Sequence, residues 1–320
     1  IMAAATTSLP EEIGGVRNWD YRYCWLRDAA LTASALVNVG STVEAENYLS
    51  WVHGVLESVS GPERLHPLYT LWGLGLPPEA VIDELPGYAG SRPVRVGNAA
   101  NQQVQLDVFG PIVDLISSLA HNRRARGRRG KEALSDDDWS LVRAMVEAVE
   151  RRWSEPDHGI WEIRGNPRHH VYSKVMGWMT IDRALTLARK FDRETEPSWE
   201  TLRSTIHAEV LEQGWNDEVQ SYTAAYDGTD LDAATLHIGL SGLIDPSDPR
   251  FAATVTATER ELRSGMTVYR YHHDDGLPGG EGGFHLCAAW LVEAYLLIGQ
   301  RSEAEALFAQ LVAVAGPTGL

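Results

Sequence analysis

Helical segments of two kinds alternate along this chain, and that alternation leaves few folds open. From Asp28 onward apolar residues recur at the helical period. Leu31, Ala35 and Val39 define a first helix that Gly40 can end, and a second covers 43–59. A third is expected over 98–121, with Val104, Val108, Ile112, Leu115, Ile116 and Leu119 on one stripe and a kink at Gly110-Pro111. Ser135 caps a fourth that runs to 153. Others are expected over 170–191, 198–213, 231–242, 249–263, 283–299 and 302–315. Segments 170–191 (HVYSKVMGWMTIDRALTLARKF) and 283–299 (GFHLCAAWLVEAYLLIG) are apolar around most of their circumference, as a helix packed on all sides must be. Segments 139–153 (WSLVRAMVEAVERRW) and 302–315 (SEAEALFAQLVAVA) carry one apolar stripe against a charged back. Buried helix followed by surface helix, repeated, describes two concentric rings: an all-α, α/α barrel with inner and outer helices.

The connections are also of two kinds. Long, Gly- and Trp-rich loops at 60–97, 154–169, 214–230 and 264–282 contrast with the short turn 299–302. Long loops gather at one end of a barrel, where a site is built on a rigid scaffold.

Composition narrows the classes of function. The chain has 320 residues, with 28 Lys and Arg against 44 Asp and Glu, a net charge of −16. A field of that sign disfavours nucleic acid, whose phosphates need a continuous basic surface. The single basic run, HNRRARGRRGK at 121–131, reads as a solvated loop. No apolar stretch approaches the roughly 20 residues of a membrane span, and the start IMAAATTSLPEEIGG lacks the pattern of a signal peptide. Two cysteines, Cys24 and Cys287, are too few for a disulfide framework and lack metal spacing, so a reducing, cytoplasmic setting is the expectation. Eleven Trp and eleven Tyr stand against five Phe. Such aromatics pair a broad apolar face with a hydrogen-bonding edge, which suits a surface that must touch both the C–H and O–H groups of a sugar; the plainer reading is that they fill a helical core.

Three stretches combine residues able to do chemistry. In NWDYRYCWLRDA (18–29), Trp25, Arg27 and Asp28 stand at the mouth of the first helix. Asp28 could be an ordinary cap; beside Arg27 it also offers a carboxylate and a guanidinium to vicinal hydroxyls. In DHGIWEIRGNPRHHVYSK (157–174), Glu162 follows Trp161 on a Gly-bounded loop. A carboxyl held against an indole away from water has its charged form disfavoured, so it can act as a general acid; the alternative is a surface glutamate paired with Arg164 or Arg168. In VYRYHHDDGLPGGEGGFHLC (268–287), Arg270 lies between two tyrosines before an acidic, Gly-rich turn. His272, His273, Asp274 and Asp275 are adjacent residues, which rarely share one ion, and the glycines make no phosphate loop, because no strand precedes them and no Lys-Ser/Thr follows. No metal and no cofactor is expected. SDDDW at 135–139 is ordinary capping, and no GxSxG, HExxH or paired CxxC supports another enzyme class.

These stretches, in this order, resemble glycoside hydrolase family 15, the glucoamylase and trehalase-like family, in its bacterial branch. The resemblance runs through SLPEEIGGVRNWDYRYCWLRDA, LPGYAGSRPVRVGNAANQQVQLDVFG, HGIWEIRGNPRHHVYSKVMGW and DDGLPGGEGGFHLCAAWLVEA, and covers nearly the whole chain. It implies an (α/α)6 barrel and release of glucose from terminal α-glucosidic bonds with inversion, on trehalose or short α-glucans. It further implies Glu162 as general acid, Arg27, Asp28 and Arg270 around the terminal glucose, and Trp161 and Trp25 lining the pocket. Fungal members have a second Glu directly after the acid, where this chain has Ile163, so contacts to the leaving group should differ. An inverting pair holds its carboxyl groups roughly 6.5–9.5 Å apart. The resemblance implies a base on the loop after the tenth helix; this chain stops at PTGL (317–320), where that loop should begin, so the base is expected beyond Leu320 and 1–320 alone is expected to hydrolyse glucosides poorly or not at all, unless another carboxylate such as Glu281 serves. Six hairpins close such a barrel and ten helices make five, so 1–320 is expected to be one catalytic barrel lacking its last hairpin and incomplete at both ends. An upstream β-sandwich is a further expectation. The rival reading is a sugar-binding or regulatory barrel of the same family with no acid–base pair.

Overall fold

The computed structural model describes residues 1–280 and 282–316. Ten α-helices lie among them: α1 (Leu26–Asn38), α2 (Val43–Ser58), α3 (Phe109–Ala125), α4 (Asp136–Arg152), α5 (Val171–Phe191), α6 (Ser198–Gln213), α7 (His237–Leu240), α8 (Pro249–Leu262), α9 (His285–Leu297) and α10 (Arg301–Ala313). The odd-numbered helices form the inner layer. Helix α1 packs on α3, α3 on α5, α5 on α7 and α7 on α9. Outside them α2, α4, α6 and α10 pack on α1, α3, α5 and α9, while α8 packs on α9 and on the turn leading into α7. The expected two-ring α/α arrangement is therefore present, with both apolar-all-round segments inside.

Local sequence explains how each kind of helix is placed. Residues 171–181 of α5 are buried without a break, because neighbours surround that helix. On α4 the side chains Leu141, Val142, Met145, Val146 and Val149 form one buried stripe. Its start is a capping box, Ser135 accepting from the Asp138 N–H and Asp138 accepting from the Ser135 N–H, with three acids in the first turn facing the helix dipole. Where α3 meets α5 the backbones nearly touch: a Cβ on Gly110 would stand 2.8 Å from the Met176 carbonyl oxygen. On α9 one face is exposed, through Ala289, Glu293, Leu296 and Leu297, so this inner helix is covered on three sides only.

One expected element is shorter than its periodicity suggests. The helix expected over 98–121 begins at Phe109, and Pro111 lies in its first turn, where the missing N–H is harmless, rather than at a kink. Residues 98–108 instead make two 3-10 turns, Ala99–Gln102 and Leu106–Val108. The reason is competition for the backbone. The Asn98 side chain accepts from the Ala100 N–H, the Val104 carbonyl accepts from the His158 N–H, and the Leu106 N–H donates to Asp157. Similarly, the helix expected over 231–242 is a 3-10 turn, Ala233–Leu236, running into the single turn of α7.

Strands among the described residues pair only as five two-stranded antiparallel ribbons in the loops, and no central sheet exists there. Among the described residues no helix is long and apolar enough to cross a membrane. The run 121–131 is solvated as expected, its residues 124–131 being exposed, but 121–125 form the end of α3 rather than a loop; Arg123 donates to Glu46 and Asp138, and Lys131 to Asp136.

Candidate active site

The loop between α4 and α5 presents Trp161 and Glu162. Its base is pinched by paired backbone bonds between Asp157 and Arg168, each 2.8 Å. At its tip Glu162 adopts φ +61°, a left-handed conformation that costs a residue with a Cβ about 1–3 kcal/mol and persists only where the surroundings enforce it. Gln103 supplies part of that enforcement, its Nε2 donating to the Glu162 and Ile163 carbonyls at 3.1 and 3.2 Å. The Glu162 side chain turns inward, and its Oε1 accepts from Trp25 Nε1 at 2.5 Å. Burial raises the Glu162 pKa above the ordinary carboxylate range; the Trp25 bond and the charges of Arg27 and Arg270 oppose this, and Asp28 adds to it. The surface-glutamate reading is not what the structure shows, since Arg164 pairs with Glu79 at 3.0 Å and Arg168 with Asp230 at 3.6 Å.

Arg27 and Asp28 open α1. Asp28 is not the cap, because the N-cap position is Trp25 and no side chain bonds there. Arg27 is 5% exposed and donates to Gln105 Oε1 and Asp107 Oδ2, both at 3.0 Å, while its other terminal nitrogen lies 3.0 Å from Asp28 Oδ2. Asp107 is fully buried, and desolvation lifts its pKa against the pull of Arg27. A guanidinium so fixed is rigid, whereas the Asp28 side chain stays 43% exposed. The pair thus offers acceptor oxygens held from behind by a buried cation.

Arg270 completes the group. Its guanidinium lies over Trp161 at 5.2 Å from the ring centroid, and also near Tyr271 and Phe284 at 5.8 and 5.9 Å. Glu162, Trp161 and Arg270 line one cavity together with Glu11, Trp19, Tyr21, Asn98, Gln103, Arg164, Tyr271 and Asp275. Trp25, Arg27 and Asp28 are not part of that lining; they meet it through the Glu162 carboxyl. The acidic turn after Arg270 has a mechanical role. Arg17 holds both oxygens of Asp275, at 2.6 and 3.1 Å, and the carbonyls of Leu277, Pro278 and Gly279, while the Tyr271 hydroxyl donates to Asp275 at 2.9 Å. Glu281, the alternative base, and residues 317–320, where the base-bearing loop is expected to begin, lie outside the described residues.

Several contributors were not singled out as site residues in the sequence. Tyr21, with its hydroxyl pKa pushed up to about 12 mainly by burial, lies in a stretch already singled out. Gln103, Gln105 and Asp107 fall in a segment read as helix, so their side chains had no reason to be assigned to a site. Asp232 is the plainest omission. It is 5% exposed, its pKa is raised to about 6 by burial, and both its oxygens accept from Trp161 Nε1 at 2.9 Å.

The family model for glycosyl hydrolases family 15 matches residues 1–318. The chain belongs to that family. Trehalase from Mycobacterium tuberculosis is 38% identical over 99% of this chain and 46% of its own length. Trehalase from Thermoplasma volcanium is 35% identical over 100% of this chain and 50% of its own length. The chain therefore spans about half the length of these curated relatives. Among solved structures, a wild-type glycosidase superposes with a TM-score of 0.71 at 18% identity, covering 99% of this chain and 79% of the other. A bacterial glucoamylase complexed with acarbose gives 0.66 at 13% identity, over 94% of this chain and 44% of the other. At such identities the superpositions show the fold, and the fold is that of glucoamylase-like (α/α)6 barrels.

Proposed function

We propose that this chain forms the acid-bearing pocket of an inverting glycoside hydrolase that releases glucose from the terminal α-glucosidic bond of trehalose or a short α-glucan. The observation that carries the reading is the environment of Glu162: an inward-facing carboxyl on an enforced left-handed turn, bonded by Trp25, with its pKa raised by burial. In that state it can protonate a leaving glycosidic oxygen. Asp28, backed by Arg27, would accept from hydroxyls of the terminal glucose, and Arg270 over Trp161 would donate to them. That relatives at 35–38% identity are named trehalase supports trehalose, rather than a longer glucan, as the substrate. Inversion requires a second carboxylate that activates water on the opposite face, and it is expected on the loop after α10. Two buried free thiols, Cys24 and Cys287, support a cytoplasmic setting.

The test uses the full natural polypeptide that contains this chain. Rates on trehalose, maltose and isomaltose are compared, and the anomer first released is read by proton NMR. The reading expects trehalose to be preferred and to give α- and β-glucose first in equal amounts, the β anomer from the residue attacked by water and the α anomer from the leaving residue, whose anomeric carbon keeps its configuration. Initial release of α-glucose alone would overturn inversion, and no release from any of the three would overturn the hydrolase.

A further inference from the structure

Two adjacent residues hold both walls of the pocket. Asp232 accepts with both oxygens from Trp161 Nε1 at 2.9 Å, and the N–H of the next residue, Ala233, donates to the Arg270 carbonyl at 2.9 Å. Above this foundation the Arg270 guanidinium rests on the Trp161 ring. Behind the indole, Trp290 lies 6.0 Å away at 40° and Phe284 meets it edge-on at 6.0 Å, so the ring is packed on apolar neighbours with its one polar atom aimed at Asp232.

We infer that Asp232 is the positioning residue of this site, fixing the Trp161 indole so that the acid on the next residue and the arginine stacked above it keep their places. This rests on the reading of Glu162 as general acid. Three physical steps connect them. Glu162 stands on a strained left-handed turn, and a strained turn keeps its shape only where its neighbours are anchored. Trp161 is the neighbour on its N-terminal side, and its buried carboxylate acceptor is stronger than a neutral one would be. A hydrogen bond from an indole N–H to an anion also makes the ring richer in electrons, which strengthens its hold on a guanidinium above its face. Asp232 touches none of the reacting atoms itself.

Asp232 has a second role that any test has to separate. Its Oδ1 also accepts from the Ala234 N–H at 2.8 Å, capping the turn that leads into α7. Serine keeps the capping bond and is too short to reach the indole, whereas asparagine keeps an acceptor for both. The experiment therefore compares Asp232→Ser, Asp232→Asn and Trp161→Phe in the full natural polypeptide, on trehalose, with melting temperature and the side-chain N–H resonance of Trp161 as independent readouts. Asp232→Ser is expected to stay folded with a melting temperature lowered by only a few degrees, to shift the Trp161 resonance and to lose about 10²-fold in kcat, the scale that a 1 Å displacement of a catalytic group costs. Asp232→Asn should recover most of that loss. In the Trp161→Phe background Asp232→Ser should have little further effect, because the bond it breaks is already gone. Asp232→Ser with normal kcat, or losses from the two positions that simply multiply, would overturn the inference while the hydrolase reading stood. A wild-type protein without turnover would overturn that reading, and this inference with it.

Discussion

In the acid role proposed for Glu162, a carboxyl has to stay protonated long enough to be useful and then part with its proton in one step. Burial supplies the first condition, and the Trp25 bond with the charges of Arg27 and Arg270 supplies the second by favouring the anion. Glu162→Gln should therefore lower kcat on trehalose by about 10²–10⁴-fold while leaving glucose affinity nearly intact. Turnover of α-glucosyl fluoride, whose leaving group needs no proton, should survive; equal losses on both substrates would remove Glu162 from the role of acid. Trp25 gives a finer test. Its N–H stabilises the charged carboxylate, so Trp25→Phe raises the Glu162 pKa further, and the protonated form persists to higher pH. The alkaline limb of the kcat/KM profile should move upward, and an unmoved limb would mean that another group controls it.

Elements were legible to different degrees, and the difference follows from what competes for the backbone. On α4 a capping box, an acidic first turn and a single apolar stripe all point to the same helix, so its start could be read directly. For α3 the apolar spacing continues upstream through Val104 and Val108, yet the Leu106 N–H is taken by Asp157 and the Val104 carbonyl by His158, residues about 50 positions away. No local pattern announces such a diversion. It matters for the site, because the non-helical segment is what brings Gln103, Gln105 and Asp107 to Glu162 and Arg27. The contact that seats α3 on α5 is equally specific. Gly110→Ala would drive a methyl group to 2.8 Å from a backbone oxygen, so the two inner helices would have to separate. A loss of about 1–3 kcal/mol in urea denaturation is expected, with a raised KM because Asp107 lies just upstream of α3. An unchanged midpoint would show that the inner ring yields at this point.

At the scale of the whole molecule, buried titratable groups set how stability responds to acid. Asp157 is 1% exposed, accepts from the Leu106 N–H and the Ser173 hydroxyl, and has its pKa raised to about 6, chiefly by desolvation. A carboxyl whose folded pKa exceeds its unfolded value near 3.9 binds more protons in the folded state between the two. Its contribution is thus full below about pH 4 and is lost as pH rises to about 6. His170 and His237 act in the opposite sense: burial lowers both to about 4, so each adds stability as pH rises from about 4 towards 6.5. Opposed slopes flatten the wild-type profile. Asp157→Asn removes one of them, so the stability of the variant relative to wild type should rise by about 2 kcal/mol between pH 4 and 6 and then stay level. Urea denaturation at pH 4, 5, 6 and 7 measures this, and a constant difference across that range would mean that Asp157 is ionised throughout.

The period and character of its helices, readable residue by residue, determined that this chain forms two rings of helices, because burial on one side or on all sides leaves its mark in local composition. The same local reading reached Trp25, Arg27, Asp28, Trp161, Glu162 and Arg270, since charged and aromatic residues crowded at a helix mouth or on a loop tip are conspicuous. Tertiary structure alone decided what holds them. Asp232 lies 71 positions from Trp161, Asp107 is 80 from Arg27, and Glu162 is 137 from the indole that donates to it. Partners so distant in sequence are chosen by the closing of the ring, and each is a carboxylate or indole indistinguishable in sequence from many others. What sets them apart is burial, which turns a common hydrogen bond into one that cannot be exchanged for water.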